Sequence, residues 1–328
     1  MLDGTRTLRP ALPWARAALG PDASGLGAGI AFALASGVLI ASLGTLSHLS
    51  YDAGLTPLSF AAWRGLVAAL FLVLVVLVRR AAGGPGLAYL AAPREQRLAL
   101  AGATAANLAL TLALFTAYAR IPVAVAVLVF YTYPAVVALV GAATGRERMT
   151  VSRAVAIGIA LLGMALVVAA RLDLGSGLSL DLVGIGCALG AAAGKTTYLW
   201  VSRAGYDRVP PDQAVLVILG GCGIGAAAAA IATGGGASLA GPLAAPAAWP
   251  SILLGATVAG AIPMAFLIAG VRRLGGTRTA IAMLSEPTVS VGVAAIVLGE
   301  GIVPLQVLGA VLVLAGGIAV QRQASARP

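Results

Sequence analysis

The chain has 328 residues, of which 60% are hydrophobic and 10% are charged. A soluble globular domain carries about a quarter charged residues, so this composition excludes a protein whose whole outer surface faces water. Lys and Arg outnumber Asp and Glu by 21 to 11, but the basic residues stand in short gaps between apolar runs, which disfavours nucleic acid as a partner and favours a lipid bilayer.

Ten apolar segments are each close to the length of about 20 residues that an α-helix needs to cross a bilayer. In chain order they are 27–46, 58–78, 98–117, 121–143, 154–170, 182–201, 214–233, 249–270, 279–298 and 304–320. These runs lack the polar alternation of membrane barrels, so we expect helices. The sequence therefore predicts an all-α integral membrane protein with ten transmembrane helices.

The placement of arginine supports this count, because cytoplasmic loops of membrane proteins hold the excess of Lys and Arg. With the N-terminus inside, seventeen arginines fall in the inner segments, whereas only Arg120 and Arg171 fall in outer loops. A missed span would reverse this pattern from that point onward. We expect a multi-pass protein of the plasma or inner membrane, with cytoplasmic tails at 1–26 and 321–328.

The two halves of the chain repeat each other at an offset of 153 residues. Matches of the less common residues share this offset: Pro57 with Pro210, Pro134 with Pro287, Glu147 with Glu300, and Gly163 with Gly316. We expect one five-helix repeat at 27–170 and another at 180–320. Since five is an odd number, the second repeat is predicted to be inverted, and inverted halves can exchange inward-open and outward-open conformations.

Several short motifs recur at equivalent places in the two halves. They are Ile121-Pro-Val-Ala-Val-Ala, Phe130-Tyr-Thr-Tyr-Pro134 and Gly145-Arg-Glu147 in the first half, Leu284-Ser-Glu-Pro287 and Leu298-Gly-Glu300 in the second, together with Phe60, Trp63 and Arg64. These motifs resemble EamA domains of the drug/metabolite transporter superfamily. The resemblance covers residues 27 to 320 and implies a ten-helix carrier with a central cavity, often an exporter of amino acids or other metabolites. It does not identify the substrate.

Ionisable residues inside a membrane are costly and usually functional. Lys195 and Glu286 are predicted at equal depth, about 10 Å inside the inner face. We expect them to line the path of a small-molecule substrate, with Glu286 able to bind a proton or a cationic group. The alternative is a structural ion pair, or a lysine that reaches to the interface. Tyr131, Tyr133 and Tyr198 are candidate cavity walls, although aromatic residues at such places more often serve packing.

Other residues in the spans have two readings each. Arg64, about 9 Å below the outer face, fits a structural arginine or an outer gate equally well. His48, at the outer end of the first span, fits an interfacial residue better than a proton relay. Pro134 and Pro287 are predicted to kink their helices.

Three glycines on the sixth span are predicted to allow close helix packing. Gly186, Gly190 and Gly194 form two overlapping GxxxG steps, and small residues let helix backbones approach each other. Packing within the chain is favoured over dimerisation, and the oligomeric state stays open.

The sequence offers little for a metal, a cofactor or an enzyme. Cys187 and Cys222 lie in apolar runs and the chain has one histidine, so neither a disulfide framework nor a metal site is expected. Gly194-Lys195-Thr196 does not fit a phosphate-binding loop, because Leu189 stands where that motif needs glycine. We therefore expect a secondary transporter of a small metabolite that works by alternating access. A passive channel and a non-transport scaffold remain alternatives, and a membrane-embedded enzyme is disfavoured.

Overall fold

The computed structural model describes residues 23–83, 86–118, 120–121, 123–145, 149–169, 181–298 and 303–325, and the regular structure in these ranges is helical. The helices of the first half are α1 (Ala23–Asp52), α2 (Pro57–Ala81), α3 (Ala88–Ala91), α4 (Arg94–Tyr118), α5 (Val123–Phe130), α6 (Tyr133–Ala143) and α7 (Val151–Ala169). Those of the second half are α8 (Leu182–Ala204), α9 (Pro211–Ala232), α10 (Gly241–Ala244), α11 (Trp249–Ala256), α12 (Ile262–Leu274), α13 (Gly276–Ala282), α14 (Ser285–Leu298) and α15 (Pro304–Ser325). Short 3₁₀ helices cover Gly236–Ala240 and Pro246–Ala248, and a π-helical turn, Thr257–Ala261, joins α11 to α12.

Each of the ten predicted segments coincides with an apolar helix or with consecutive helices. Within the described ranges, eight of these units have the length and hydropathy to cross a membrane: Gly25–Asp52, Pro57–Ala81, Arg94–Ala117, Val125–Ala143, Leu182–Ala204, Pro211–Ala232, Pro246–Leu274 and Gly276–Val297. The other two, Val151–Val167 and Pro304–Ala319, are shorter apolar helices. The prediction of a multi-span helical protein is confirmed, whereas the number of ten spans is not.

Large apolar side chains cover the outer surface of the helices. Leu70, Leu182 and Ile296 are 61%, 81% and 86% exposed. Such a surface would be costly in water but suits the hydrocarbon core of a bilayer. The buried interior is held mainly by small residues and by the three fully buried tyrosines Tyr133, Tyr198 and Tyr206.

Helices α7 and α15, the last helices of the two halves, pack along each other through glycines. A Cβ added at Gly163 would lie 2.6 Å from the Val313 nitrogen, and one added at Gly316 would lie 2.7 Å from the Ala160 nitrogen. Gly163 and Gly316 are equivalent positions at the offset of 153 residues, and so are Ala160 and Val313. The two contacts are therefore equivalent, and the interface is pseudo-symmetric. Because residue numbers rise along one helix as they fall along the other, equivalent helices of the two halves run antiparallel.

The other main contacts between helices also relate equivalent helices of the two halves. Helix α2 packs on its counterpart α9, where Gly65 meets Gly223. Helix α4 packs on α8, and their counterparts α11 and α12 pack on α1. The packing of the helices therefore relates two similar halves that run in opposite directions.

Polar links between loops join the helix ends. Asp181 caps α8, and hydrogen bonds from the Arg120 side chain and the Val183 N–H hold the pKa of this exposed carboxyl below its usual value. At the opposite ends of the helices, Arg79 pairs with Asp212. Of the motifs noted in the sequence, Arg146–Glu147 and Gly299–Glu300 lie outside the described residues, as do 1–22 of the N-terminal tail and 326–328 of the C-terminal tail.

Candidate functional site

Two apolar spans are each broken at equivalent positions. The first is interrupted at Tyr131 and Thr132, between α5 and α6, and the second at Met283 and Leu284, between α13 and α14. The two interruptions are 152 residues apart, within one residue of the offset of the repeat in the sequence. The Tyr131 and Met283 N–H groups still donate to carbonyls four residues earlier, so each span bends at its interruption and does not end there. In transporters built of inverted repeats, interrupted helices form the substrate site.

The prolines predicted to kink their helices lie just after these breaks. Pro134 occupies the second position of α6, and Pro287 the third position of α14. Proline has no N–H, so it cannot bond to the carbonyl four residues earlier. In the second break that carbonyl belongs to Met283, and it accepts a hydrogen bond from the Glu286 N–H at 3.0 Å instead. The tighter turn places Glu286 in the first turn of a half-helix, where the positive end of the helix dipole favours a carboxylate.

The five residues expected to line the substrate path come together at these breaks. The Lys195 ammonium lies 5.9 Å from the ring centres of both Tyr133 and Tyr198. The Tyr131 side chain interacts with the Glu286 carboxylate, and the rings of Tyr131 and Tyr133 are 6.0 Å apart. We call these five residues the central cluster.

Lys195 and Glu286 attract each other but are not in contact. The two charges interact electrostatically. The ion pairs within 4.0 Å between described residues are Arg79–Asp212 and Arg120–Asp181, so Lys195 and Glu286 are farther apart than that. Both side chains are half-buried. The cluster therefore offers a cation, an anion and aromatic faces to a small polar molecule without being closed by a direct salt bridge.

The central cluster lies well inside its helices. Helix α8 ends at Ala204 and α13 begins at Gly276, each three residues beyond the predicted end of its span. At 1.5 Å per residue Lys195 is about 14 Å, and Glu286 about 15 Å, from those helix ends. The two residues are therefore at similar distances from the ends of their helices.

Arg64 lies in a separate place, nearer the opposite end of the helices. It is half-buried on α2, about 10 Å along the axis from Pro57. Its side chain runs beside Gly255 and Gly260, at the π-helical turn, and it interacts electrostatically with Cys222 and Tyr51. His48 is exposed near the end of α1 and is not part of either group.

The three glycines of the predicted packing stripe behave differently. A Cβ at Gly194 would lie 3.0 Å from the Ala106 carbonyl oxygen on α4, so this glycine does allow a close approach. Around Gly186 and Gly190 no heavy atom among the described residues lies within 4 Å of an added Cβ, and both are exposed. The stripe does not follow the interface, because the inward face of α8 instead carries Gly184, Ala188 and Ala191.

Two features of this region were not predicted from the sequence. One is the π-helical turn Thr257–Ala261, which widens the helix beside Arg64; such turns are common at functional sites. The other is the link from α4 to α9, where the Asn107 amide donates to the Cys222 sulfur at 3.2 Å. Gly260 and Asn107 were visible as polar or small residues in apolar runs, but nothing in the sequence pairs them with their neighbours.

An apolar cavity of about 310 Å³ opens beside the second break, on the outer side of the helices. Its lining includes Leu34 on α1, Ser285 at the start of α14, and Ile318 on α15. The described residues that line this cavity do not include any of the five residues of the central cluster. Among the described residues no group of acidic, histidine and cysteine side chains could hold a metal ion.

A helical membrane protein with two antiparallel halves, paired interruptions in its spans, and Lys195 and Glu286 close to them resembles transporters built of inverted repeats. The EamA-like transporter family model matches residues 27–169 and 182–320. The chain therefore belongs to the EamA-like transporter family, and the resemblance seen in the sequence is confirmed.

Solved structures agree with this fold. One of 28 matching chains, described only as the crystal structure of a protein, superposes with a TM-score of 0.72 at 17% identity. The match covers 90% of this chain and 98% of the other. At 17% identity this similarity shows only that the two chains share a fold. No curated protein matches the chain.

Proposed function

We propose that this protein is a secondary carrier that exports a small metabolite, an amino acid or related solute, by alternating access. In this proposal ten helices cross the cell membrane, with repeats at 27–170 and 180–320 and both chain ends in the cytoplasm. The central cluster binds the solute at mid-depth, and the two antiparallel halves rock about it.

The observation that carries the proposal is the coincidence of Lys195, Glu286 and the two helix breaks. A lysine and a carboxylate in the middle of a membrane are costly, by roughly 2.5–3.5 kcal/mol each on insertion scales. That cost is compensated when the charges bind a solute. The aromatic faces of Tyr133 and Tyr198 also suit a carrier, because they can hold either the lysine or an incoming cation.

Proton coupling follows from the same cluster. Tyr131 and Lys195 both interact with the Glu286 carboxylate, and the binding of a solute near it would change both interactions. We propose that Glu286 exchanges a proton for the solute during the cycle. Glu286→Gln would keep the size of the side chain but remove this exchange.

The test is uptake of radiolabelled amino acids and related metabolites into vesicles that contain the purified protein, with and without a pH gradient. We expect saturable uptake of at least one compound, and a loss of tenfold or more in Lys195→Ala and Glu286→Gln. Uptake by Glu286→Gln should no longer respond to the gradient. The matched control is Glu95→Gln, an exposed acid at the start of α4, which should behave as wild type. Full transport by both cluster variants would refute the proposal.

A further inference from the structure

Arg64 lies at the meeting point of four helical elements. Its own helix α2 faces α1 through Tyr51, α9 through Cys222, and the π-helical turn through Gly260. An added Cβ at Gly260 would lie 3.5 Å from the Arg64 Nη1 atom, and one at Gly255 would lie 3.5 Å from its Cδ atom. The two glycines therefore bring no side-chain atom of their own against this side of the Arg64 side chain.

No acid neutralises this arginine within the part of the chain that the structure describes. The groups that act on its charge are Cys222 and Tyr51, neither of which is a carboxylate, and its guanidinium takes part in neither of the ion pairs. Arginine does not lose its proton in proteins. A fixed positive charge thus lies inside an apolar span without a counter-charge.

Other arginines near the ends of the helices do have ion-pair or hydrogen-bond partners. Arg79 pairs with Asp212, and Arg120 pairs with Asp181. Arg272 donates to the carbonyl oxygens of Tyr206 and Val209, at 2.9 and 3.0 Å. Arg64 makes no such contact with a described residue, although it lies deeper than these side chains.

The sum of the charges inside the spans also favours a ligand with one negative group. Lys195 and Glu286 attract each other and cancel when both are ionised. Arg64 then leaves one positive charge in the interior of the spans. A bound molecule with one negative group would complete the balance, whereas a cationic solute would add a second uncompensated charge in a medium where charges interact strongly.

We propose that Arg64 is the binding site for a single carboxylate of the transported solute, which is therefore a small carboxylic acid or an α-amino acid. This inference rests on the transport function proposed above. The planar guanidinium offers two parallel N–H donors that match the two oxygens of a carboxylate. A phosphate monoester would bring up to two negative charges to a place with one cation, so the carboxylate is the better match.

The experiment compares acids with their amides. Vesicles containing the wild-type protein are loaded with each amino acid that the uptake panel identifies, and exchange is measured in competition with the matching amide, the acid without its amino group, and a phosphate ester of similar size. We expect the acid without the amino group to compete within about tenfold of the substrate. The amide and the phosphate ester should fail to compete at a hundredfold excess.

Arg64→Gln should lower the apparent affinity for the substrate by about 10- to 100-fold, the range for hydrogen bonds to a charged group. It should also remove the preference for acid over amide, which a merely structural arginine would not control. Arg64→Lys keeps the charge without the paired donors and should show an intermediate preference. Arg80→Gln, an exposed arginine at the other end of α2, is the matched control and should retain the preference.

Several results would overturn the inference. They are equal competition by acid and amide in the wild type, an unchanged preference in both Arg64 variants, and competition by the phosphate ester as strong as by the acid. If the panel yields no transported compound, the transport proposal fails separately. The carboxylate site is then tested by heat denaturation of the purified protein with the sodium salts of the acids against their amides. Stabilisation by acids in the wild type alone would support it, and its absence would overturn it.

Discussion

Replacing Gly163 by alanine should loosen the contact between α7 and α15. An added Cβ would lie 2.6 Å from the Val313 nitrogen and 2.7 Å from the Leu312 Cβ. Ordinary contacts of a Cβ begin near 3.4 Å, so the two helices would have to separate by about 0.8 Å, because backbone cannot turn aside as a side chain can. Overpacking of this kind costs about 1–3 kcal/mol.

The pseudo-symmetry of the interface makes this prediction more specific. Gly316→Ala would bring its Cβ to 2.7 Å from both the Ala156 oxygen and the Ala160 nitrogen, so its effect should equal that of Gly163→Ala. The double variant should lose less than the sum of the two, since one separation of the helices relieves both clashes. Such coupling is expected of contacts that share an interface.

Two neighbouring glycines serve as matched controls. Gly158 lies on α7 and Gly317 on α15, and around each no described heavy atom is within 4 Å of an added Cβ. Alanine there should cause no loss and should gain up to about 1 kcal/mol from its higher helix propensity. The assay is heat denaturation of purified protein in one detergent, read by size exclusion after heating. Equal stability of Gly163→Ala and Gly158→Ala would show that the antiparallel contact is not formed as described.

Three further predictions concern other parts of the molecule. Burial raises the pKa of Tyr206 to about 12, whereas the phenol in the unfolded chain titrates near 10. The contribution of the protonated phenol to stability is therefore complete below pH 10 and is lost as the pH rises through 12. Tyr206→Phe should flatten the loss of stability between pH 10 and 12. Asp212→Asn should cost about 1 kcal/mol, since its partner Arg79 is 29% exposed, and more than Asp181→Asn in the exposed pair; equal melting temperatures would contradict this. In a variant without Cys187 and Cys222, an impermeant maleimide should label Ala237→Cys in intact cells and Ala82→Cys only after permeabilisation, and the reverse pattern would refute the proposed orientation.

The fold was largely readable in the sequence because lipid imposes a simple pattern on it. A run of apolar residues has to form a helix in a bilayer, and Gly163 and Gly316 share an offset that the packing of α7 on α15 explains. Helix ends were less readable. Helices α8 and α13 continue three residues past their apolar segments, through Arg203 and Arg278, because charged residues at the interface are compatible with helix.

The candidate site was only partly readable. Lys195 and Glu286 stood out because charge inside a span is rare, and Pro134 and Pro287 indicated where the spans would bend. The sequence could not show that the regular helix is interrupted for two residues at each bend, nor that Arg64 would face the π-helical turn. Those features depend on contacts such as that of Gly260 with Arg64, which join residues far apart in the chain and follow no periodic pattern.

The central claim is that a solute bound at Lys195 and Glu286 is carried between two faces of the membrane. Its most direct test is exchange across vesicles that hold the purified protein. If the protein is a carrier, unlabelled solute inside the vesicles will accelerate the uptake of labelled solute outside, uptake will saturate, and Glu286→Gln will abolish both effects. Uptake that rises linearly with concentration and ignores the solute on the far side would contradict the account and identify a passive pore.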